Sequence, residues 1–269
     1  MKVGDVLEHF LSRADWVDRG ATVDRVIAGD PDADVDRCIV TWMPSLKALR
    51  HAVERGARLV VCHEPTFWNH RDKPLADDAE YEEKRSYIER HGLAVVRNHD
   101  CWDRWPEIGI PWAWARFLGM AGRPQAIGAN GYQHRYDIEP AALGEFARRV
   151  AERCAVLGEP AVQVTGDLDR LVSKIGVGTG CGCGIAAYRA MGCDCSIVCD
   201  DGSCYWSEIQ RAEDIGHPVI RVNHGTSEEP GMATLAAYID ANLAGLRAEH
   251  LPHGSTFRLV GRWAGGERS

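Results

Sequence analysis

Two segments of this 269-residue chain close on the same short pattern. Gly92 leads through Leu93-Ala94-Val95-Val96-Arg97 to Asn98-His99, and Asp103 stands four residues after the histidine. Gly216 leads through His217-Pro218-Val219-Ile220-Arg221-Val222 to Asn223-His224, and Glu228 stands four residues after that histidine. A third pair, His63-Glu64, follows another apolar run, Leu59-Val60-Val61-Cys62. Imidazole nitrogens and carboxylate oxygens are common protein ligands for divalent ions. A lone histidine at a strand end is more often a hydrogen-bonded structural group. Packing alone does not require six ionisable groups of ligand type at three strand ends, so they point to metal.

The elements around these residues follow from periodicity. Short apolar runs suit buried strands, which places each Asn-His at a strand's carboxyl end, where open α/β sheets bind ligands. Residues 3–13 pattern as an amphipathic helix, and residues 23–27 as a short strand. Residues 38–42 read as a strand, Pro44-Ser45 opens a helix that Gly56 ends, and residues 58–62 form the next strand. That is a βαβ unit, so its strands should be parallel. A charged helix over 80–90 leads to the first Asn-His strand. Residues 119–139, with several Gly and Pro, suit a junction. Helices are expected at 140–156, 185–191 and 232–246, and before residue 215. Strands are expected at 161–164, 171–177, 195–199 and 257–260, and a frayed tail at 265–269.

The repeat is wider than one pattern. Gly56 to Glu64 lies beside Gly192 to Asp201: a helix-ending Gly, a strand, a Cys and two candidate ligands. Both loops then reach an aromatic pair, Phe67-Trp68 and Tyr205-Trp206, and both lead through a helix to the Asn-His strand. The expected architecture is α/β: two similar lobes, residues 1–125 and 126–269, related by a rough two-fold with a metal site between them.

Composition narrows the function. A net charge of −8 and the lack of a basic run argue against nucleic-acid binding. No apolar stretch approaches the roughly 18 residues of a membrane span, and Met1 to Asp5 lacks the features of a signal peptide. The expected compartment is the cytoplasm, where ten cysteines should be thiols, ligands or redox groups rather than structural disulfides.

At His63-Glu64-Pro65, His99 to Asp103, and Asn223 to Glu228, the chain resembles the Nif-three-like family, also known as dinuclear-metal-centre hexameric proteins or GTP cyclohydrolase I type 2 homologs. The family's markers are His-His-Pro after an early strand, His-x-x-x-Asp, and a late Gly-His-x-x-(Ser/Thr)-Glu opening a helix. The resemblance spans about residues 15–246, and a Gly-rich turn matches at Gly178 to Gly184. It implies two α/β lobes, a toroidal homohexamer and two divalent ions, zinc, manganese or iron. The implied ligands are His63, Asp103, His224 and Glu228, with Glu64 in place of the second His. His99 is implied as a ligand or an acid-base group. A carboxylate at position 64 shifts preference from zinc toward manganese or iron.

Two divalent ions about 3.5–4 Å apart would lower the pKa of a bridging water toward neutrality. Asp103 and Glu228 are the expected bridging carboxylates and His99 the general acid or base. The leading reading is a hydrolase of a small phosphoester or a purine-like, cyclohydrolase-type substrate. The alternative is a non-catalytic metal-binding ring that serves as a scaffold or regulatory partner. Cys62, Cys101, Cys199 and Cys204 fall near the site loops, either as inert buried residues or as a soft-metal or redox-sensitive site. The Trp102 to Trp114 cluster reads as core or subunit interface, or else as a stacking platform for a base.

Overall fold

Strands β1 (Arg25–Ala28), β2 (Arg37–Thr41), β3 (Leu59–Cys62) and β4 (Ala94–Arg97) join in the order β1-β4-β3-β2. The last three are parallel, and β1 runs antiparallel at the edge. The structure is a computed structural model that describes residues 1–260. Helices α1 (Val3–Leu11), α2 (Leu46–Glu54) and α3 (Ala79–Arg90) cover this sheet on both faces. Val40, Val61 and Val96 meet Val3, Val6 and Phe10 of α1 on one side. Ile39, Val60 and Val95 meet Leu49 of α2 and Ile88 of α3 on the other. Burial on both faces is why these strands carry unbroken apolar runs. The parallel βαβ unit expected from sequence is present. Ser45 caps α2, its Oγ accepting from the Ala48 N–H at 3.2 Å, and Gly56 ends it at φ +67°.

After α4 (Asp100–Asp103) and α5 (Ile110–Phe117) the chain builds a second sheet. Its strands are β5 (Ala126–Ile127), β6 (His134–Ala142), β7 (Gln163–Thr165), β8 (Leu171–Val177), β9 (Cys195–Cys199) and β10 (Val219–Val222). They pair in the order β5-β6-β8-β9-β10-β7, linked by α6 (Leu143–Ala155), α7 (Ile185–Ala190) and α8 (Gln210–Asp214). Over four strands, β7-β10-β9-β8 has the order and directions of β1-β4-β3-β2. Helix α9 (His224–Asn242) then leaves β10 and packs Met232, Leu235 and Ile239 on the first sheet. Strand β11 (Arg247–His250) pairs with β2. The chain therefore crosses back over the division expected at residues 125 and 126.

Four expectations change. The junction at 119–139 contains β5 and the start of β6. The helix expected from Pro140 begins at Leu143, because Pro140 sits in β6 where the register with β8 shifts, and proline suits such a bulge. The helix expected at 232–246 starts eight residues earlier, at His224, and runs through Gly225, Pro230 and Gly231. Residues 257–260 are exposed and form no strand; β11 holds the edge beside β2. The tail at 265–269 lies outside the described residues. Among the described residues no helix is long and apolar enough to cross a membrane.

Helix α9 needs Gly231 for its approach to α5. A Cβ there would stand 2.4 Å from Ile110 Cδ1. Gly231→Ala is expected to cost about 1–3 kcal/mol through overpacking, read as a lower denaturation midpoint in urea. A second expectation concerns acid. His217 is buried, its Nε2 is 2.8 Å from Ser196 Oγ, and burial together with Arg189 and Arg170 lowers its pKa to about 4. It stays neutral in the fold while the unfolded chain protonates near 6.5. Its contribution is therefore complete above about 6.5 and lost as pH falls toward 4. Unfolding free energy should drop by about 1–2 kcal/mol from this group between pH 7 and 5, and His217→Gln should flatten that slope.

Candidate metal centre

The carboxyl ends of β3, β4 and β10 meet at one place. His63 and Glu64 follow β3, His99 and Asp103 follow β4, and His224 and Glu228 open α9 after β10. The four-residue spacing puts each His and its carboxylate on one face of a helical turn. The six groups form a closed circuit in which imidazole and carboxylate alternate. His63 Nε2 is 3.4 Å from Asp103 Oδ1, and Asp103 Oδ2 is 3.2 Å from His99 Nδ1. His99 Nε2 is 3.9 Å from Glu64 Oε1, which is 3.6 Å from His224 Nε2. His224 Nε2 is 3.0 Å from Glu228 Oε1, and Glu228 Oε2 returns to His63 Nε2 at 3.4 Å. His63 and His99 stack with centroids 4.4 Å apart. All six sequence-predicted residues are brought together, Glu64 included.

Backbone caps hold the two His-bearing turns. Asp24 lies just before β1 and is buried; it accepts from the N–H groups of His99, Asp100 and Cys101. In the second half Glu159 accepts from the Asn223 N–H and Asp200 from the His224 N–H. Two further residues escaped the sequence reading. The Trp42 Nε1–H donates to Glu228 Oε2 at 2.8 Å. Arg97 is fully buried: it donates to the carbonyls of His63 and His70 and faces Glu64 at 3.5 Å and Asp72 at 3.6 Å. It sat unmarked inside an apolar strand; a charge in such a run was the available signal.

Electrostatics follow from crowding. Burial disfavours charge on His99, but Asp103, the hydrogen bond to Asp100 and Glu64 outweigh it and raise its pKa to about 10. His63 and His224 are raised on the same balance, with Glu228 the main opposing charge. Burial would raise Glu228, yet His224, His63 and Trp42 hold it below the usual carboxylate range.

The donor set fits divalent ions. His63 Nε2 and His224 Nε2 are buried with no hydrogen-bond partner, although both face carboxylates. Such orphaned atoms are rare. Each imidazole also has an oxygen near Nδ1: the Asn98 carbonyl at 3.3 Å for His63, Asp100 at 2.8 Å for His99, and Asp201 at 3.9 Å for His224. That arrangement leaves Nε2 as the ligating atom. His63, His99 and Asp103 bring ligand-type atoms within 4.8 Å of one another, close enough to hold an ion, and His63, Glu64 and Glu228 do the same. The Gly-rich turn closes over them. Gly180 has φ +56°, and a Cβ there would lie 3.3 Å from Glu228 Oε1 and 3.4 Å from His224 Nε2.

Cysteine contributes less. All ten are free thiols. Cys62, Cys101 and Cys199 are fully buried, and burial pushes the Cys62 thiol up to about 12. Cys181 lines the site cavity. Cys183 and Cys199 lie 3.9 Å apart at sulfur beneath the Gly-rich turn. Trp102, Trp105 and Trp114 are buried core, which removes them as a platform for a base.

Two mixed α/β sheets with a histidine–carboxylate cluster where they meet define the class. The sequence model of the DUF34/NIF3 family (NGG1p interacting factor 3) matches residues 2–253, and the chain belongs to that family. Staphylococcus aureus protein SA1388 has a similar structure, with TM-score 0.78 at 17% identity over 97% of this chain and 99% of that one. The protein ybgI, of unknown function, is similar at TM-score 0.77 and 17% identity, over 93% and 98%. Reduced HcgD from Methanocaldococcus jannaschii is similar at TM-score 0.71 and 19% identity, over 93% and 98%. These likenesses show the fold. No curated protein matches the sequence.

The buried cation is testable. Arg97→Met removes the buried cation that Glu64 and Asp72 share and should cost about 3–5 kcal/mol of unfolding free energy. Arg85→Met removes the exposed pairs to Glu82 and Glu89 and should leave the denaturation midpoint close to that of the wild type, because solvent screens such pairs. Equal losses in urea denaturation would contradict the role assigned to Arg97.

Proposed function

We propose that the protein holds two divalent ions in this circuit and hydrolyses a small phosphoester or purine-like substrate there. The observation that carries the reading is the pair of orphaned Nε2 atoms on His63 and His224, buried among carboxylates, with His224 lining a cavity of about 650 Å³. His63, Glu64, Asp103, His224 and Glu228 are the proposed ligands. Bound ions would supply Lewis acidity and an activated water near neutral pH. The residues do the rest. Trp42 fixes one oxygen of Glu228 and leaves the other toward His224. Arg97 holds the chain at His63 and balances Glu64. His99, anchored by Asp100 and at the cavity wall, is the proposed proton carrier. Three carboxylates make the donor set hard, which favours manganese or iron over zinc. By family membership we propose a homohexamer, checked by light scattering, acting in the cytoplasm.

The test is elemental analysis of protein purified without chelators or an affinity-metal column. About two equivalents per chain are expected, lost in His63→Ala and His224→Ala, with Glu64→His shifting preference toward zinc. His99→Asn should keep the metal and lower turnover by roughly 10²–10⁴-fold. One equivalent would place a weak position at Glu64. No metal, even on titration, overturns the reading, and tight metal without turnover leaves the ring scaffold.

A further inference from the structure

The cavity has an aromatic mouth that metal binding does not use. Trp68 lines it and is 51% exposed. Its φ of 56° lies in the left-handed region, which a bulky side chain rarely occupies unless its surroundings enforce it. They do so here. On one side, the Phe67 N–H donates to Asp72 Oδ1 at 2.8 Å. On the other, Asn69 Nδ2 donates to the carbonyls of Phe67 and Lys73, and the Lys73 N–H returns to Asn69 Oδ1. Arg97 anchors the His70 carbonyl. The buried Lys84 ammonium lies over the indole, 5.0 Å from its centroid, and donates to the Thr66 carbonyl. The loop thus spends strain and a buried cation on fixing one large apolar ring beside the site. A surface residue without a partner has no use for that.

The charge of the cavity selects among ring-bearing ligands. Glu64, Asp100, Asp103, Asp201 and Glu228 line it, and among the described residues no Lys or Arg does. Phosphate groups are normally met by Arg, Lys or a helix N-terminus. Here a phosphate away from the metals would face carboxylates, and the first N–H groups at the start of α9 are already taken by Glu159, Asp200 and Asn223.

We propose that Trp68 is the stacking platform for the substrate, and that the substrate is a planar nitrogen heterocycle without phosphate, a free base or nucleoside. The inference rests on the metal-site reading above and narrows its substrate. The indole takes one face of the ring and the metal circuit receives its edge, while Tyr132 borders the cavity behind the Gly-rich turn.

The experiment is calorimetric titration of manganese-loaded full-length protein with guanosine and with guanosine 5′-monophosphate, with bound metal measured in every sample. Guanosine is expected to bind, and the monophosphate more weakly. Trp68→Ala should weaken guanosine about 5- to 150-fold, the loss typical of removing a base-stacking aromatic, with metal content unchanged. Trp68→Phe should keep most of the affinity. Trp68 lies outside the packed core, so both variants should match the wild-type circular dichroism. Unchanged guanosine affinity in Trp68→Ala, tighter binding of the monophosphate, or no guanosine binding at millimolar concentration overturns the proposal. Absence of bound manganese in the wild type defeats the metal reading instead, and guanosine binding that persists there and falls in Trp68→Ala still supports the platform.

Discussion

Six ionisable groups taken out of water must neutralise one another, and this requirement governs the rest of the fold. Isolated buried charges are costly, and removing one partner from a buried pair leaves the other uncompensated. The alternating circuit of His63, Asp103, His99, Glu64, His224 and Glu228 meets the condition, because each carboxylate lies between two imidazoles. No single segment of chain can supply it. The contributing strand ends belong to two sheets, so both sheets must fold, and α9 must pack on the first, before the circuit closes.

The same device is used at both His-x-x-x-carboxylate turns. A parallel strand ends, the chain turns into a helix, and the histidine stands at the turn. An acid from elsewhere takes the free N–H groups: Asp24 for the first turn, Glu159 and Asp200 for the second. Asp24 and Glu159 each lie a few residues before the antiparallel edge strand beside the His-bearing strand. Pairing of that edge strand and placement of the cap are therefore one event. Arg97 adds a cation to the first turn, which matters because Glu64 brings a negative charge there.

Much of this was legible because two physical signals agree. Strands buried on both faces leave unbroken apolar runs, so β2, β3, β4, β9 and β10 could be read directly, and ligand-type residues at their ends stand out. All six members of the circuit were found that way. What escaped depends on contacts distant in sequence. Strand β6 alternates polar and apolar residues around Pro140, which resembles a helix start. The first turns of α9 carry Gly225, Pro230 and Gly231, whose breaker signals hide a helix held by the Asn223 cap and by packing on α5. Residues 257–260 have strand-like composition, but Arg247–His250 takes the place beside β2 despite a weaker pattern. Trp42 and Arg97 look like ordinary strand residues until the fold sets Glu228 and Glu64 beside them.

Glu64 links the metal reading to the substrate. The carboxylates of the circuit favour the charged form of its imidazoles, which accounts for the raised histidine pKa values. Metal binding would require the ligating nitrogens of His63 and His224 to give up any proton, since a protonated imidazole is no ligand. With two divalent ions and neutral imidazoles the circuit carries one net positive charge. A histidine at position 64, as the family pattern has it, would leave two. Glutamate there would lower the proposed site's attraction for an anion, offset in part by Arg97, and Asp100 and Asp201 at the cavity wall would lower it further. A site so arranged gains little from a phosphate-rich ligand and must find its binding energy elsewhere, and the fixed indole of Trp68 is the apolar surface within reach.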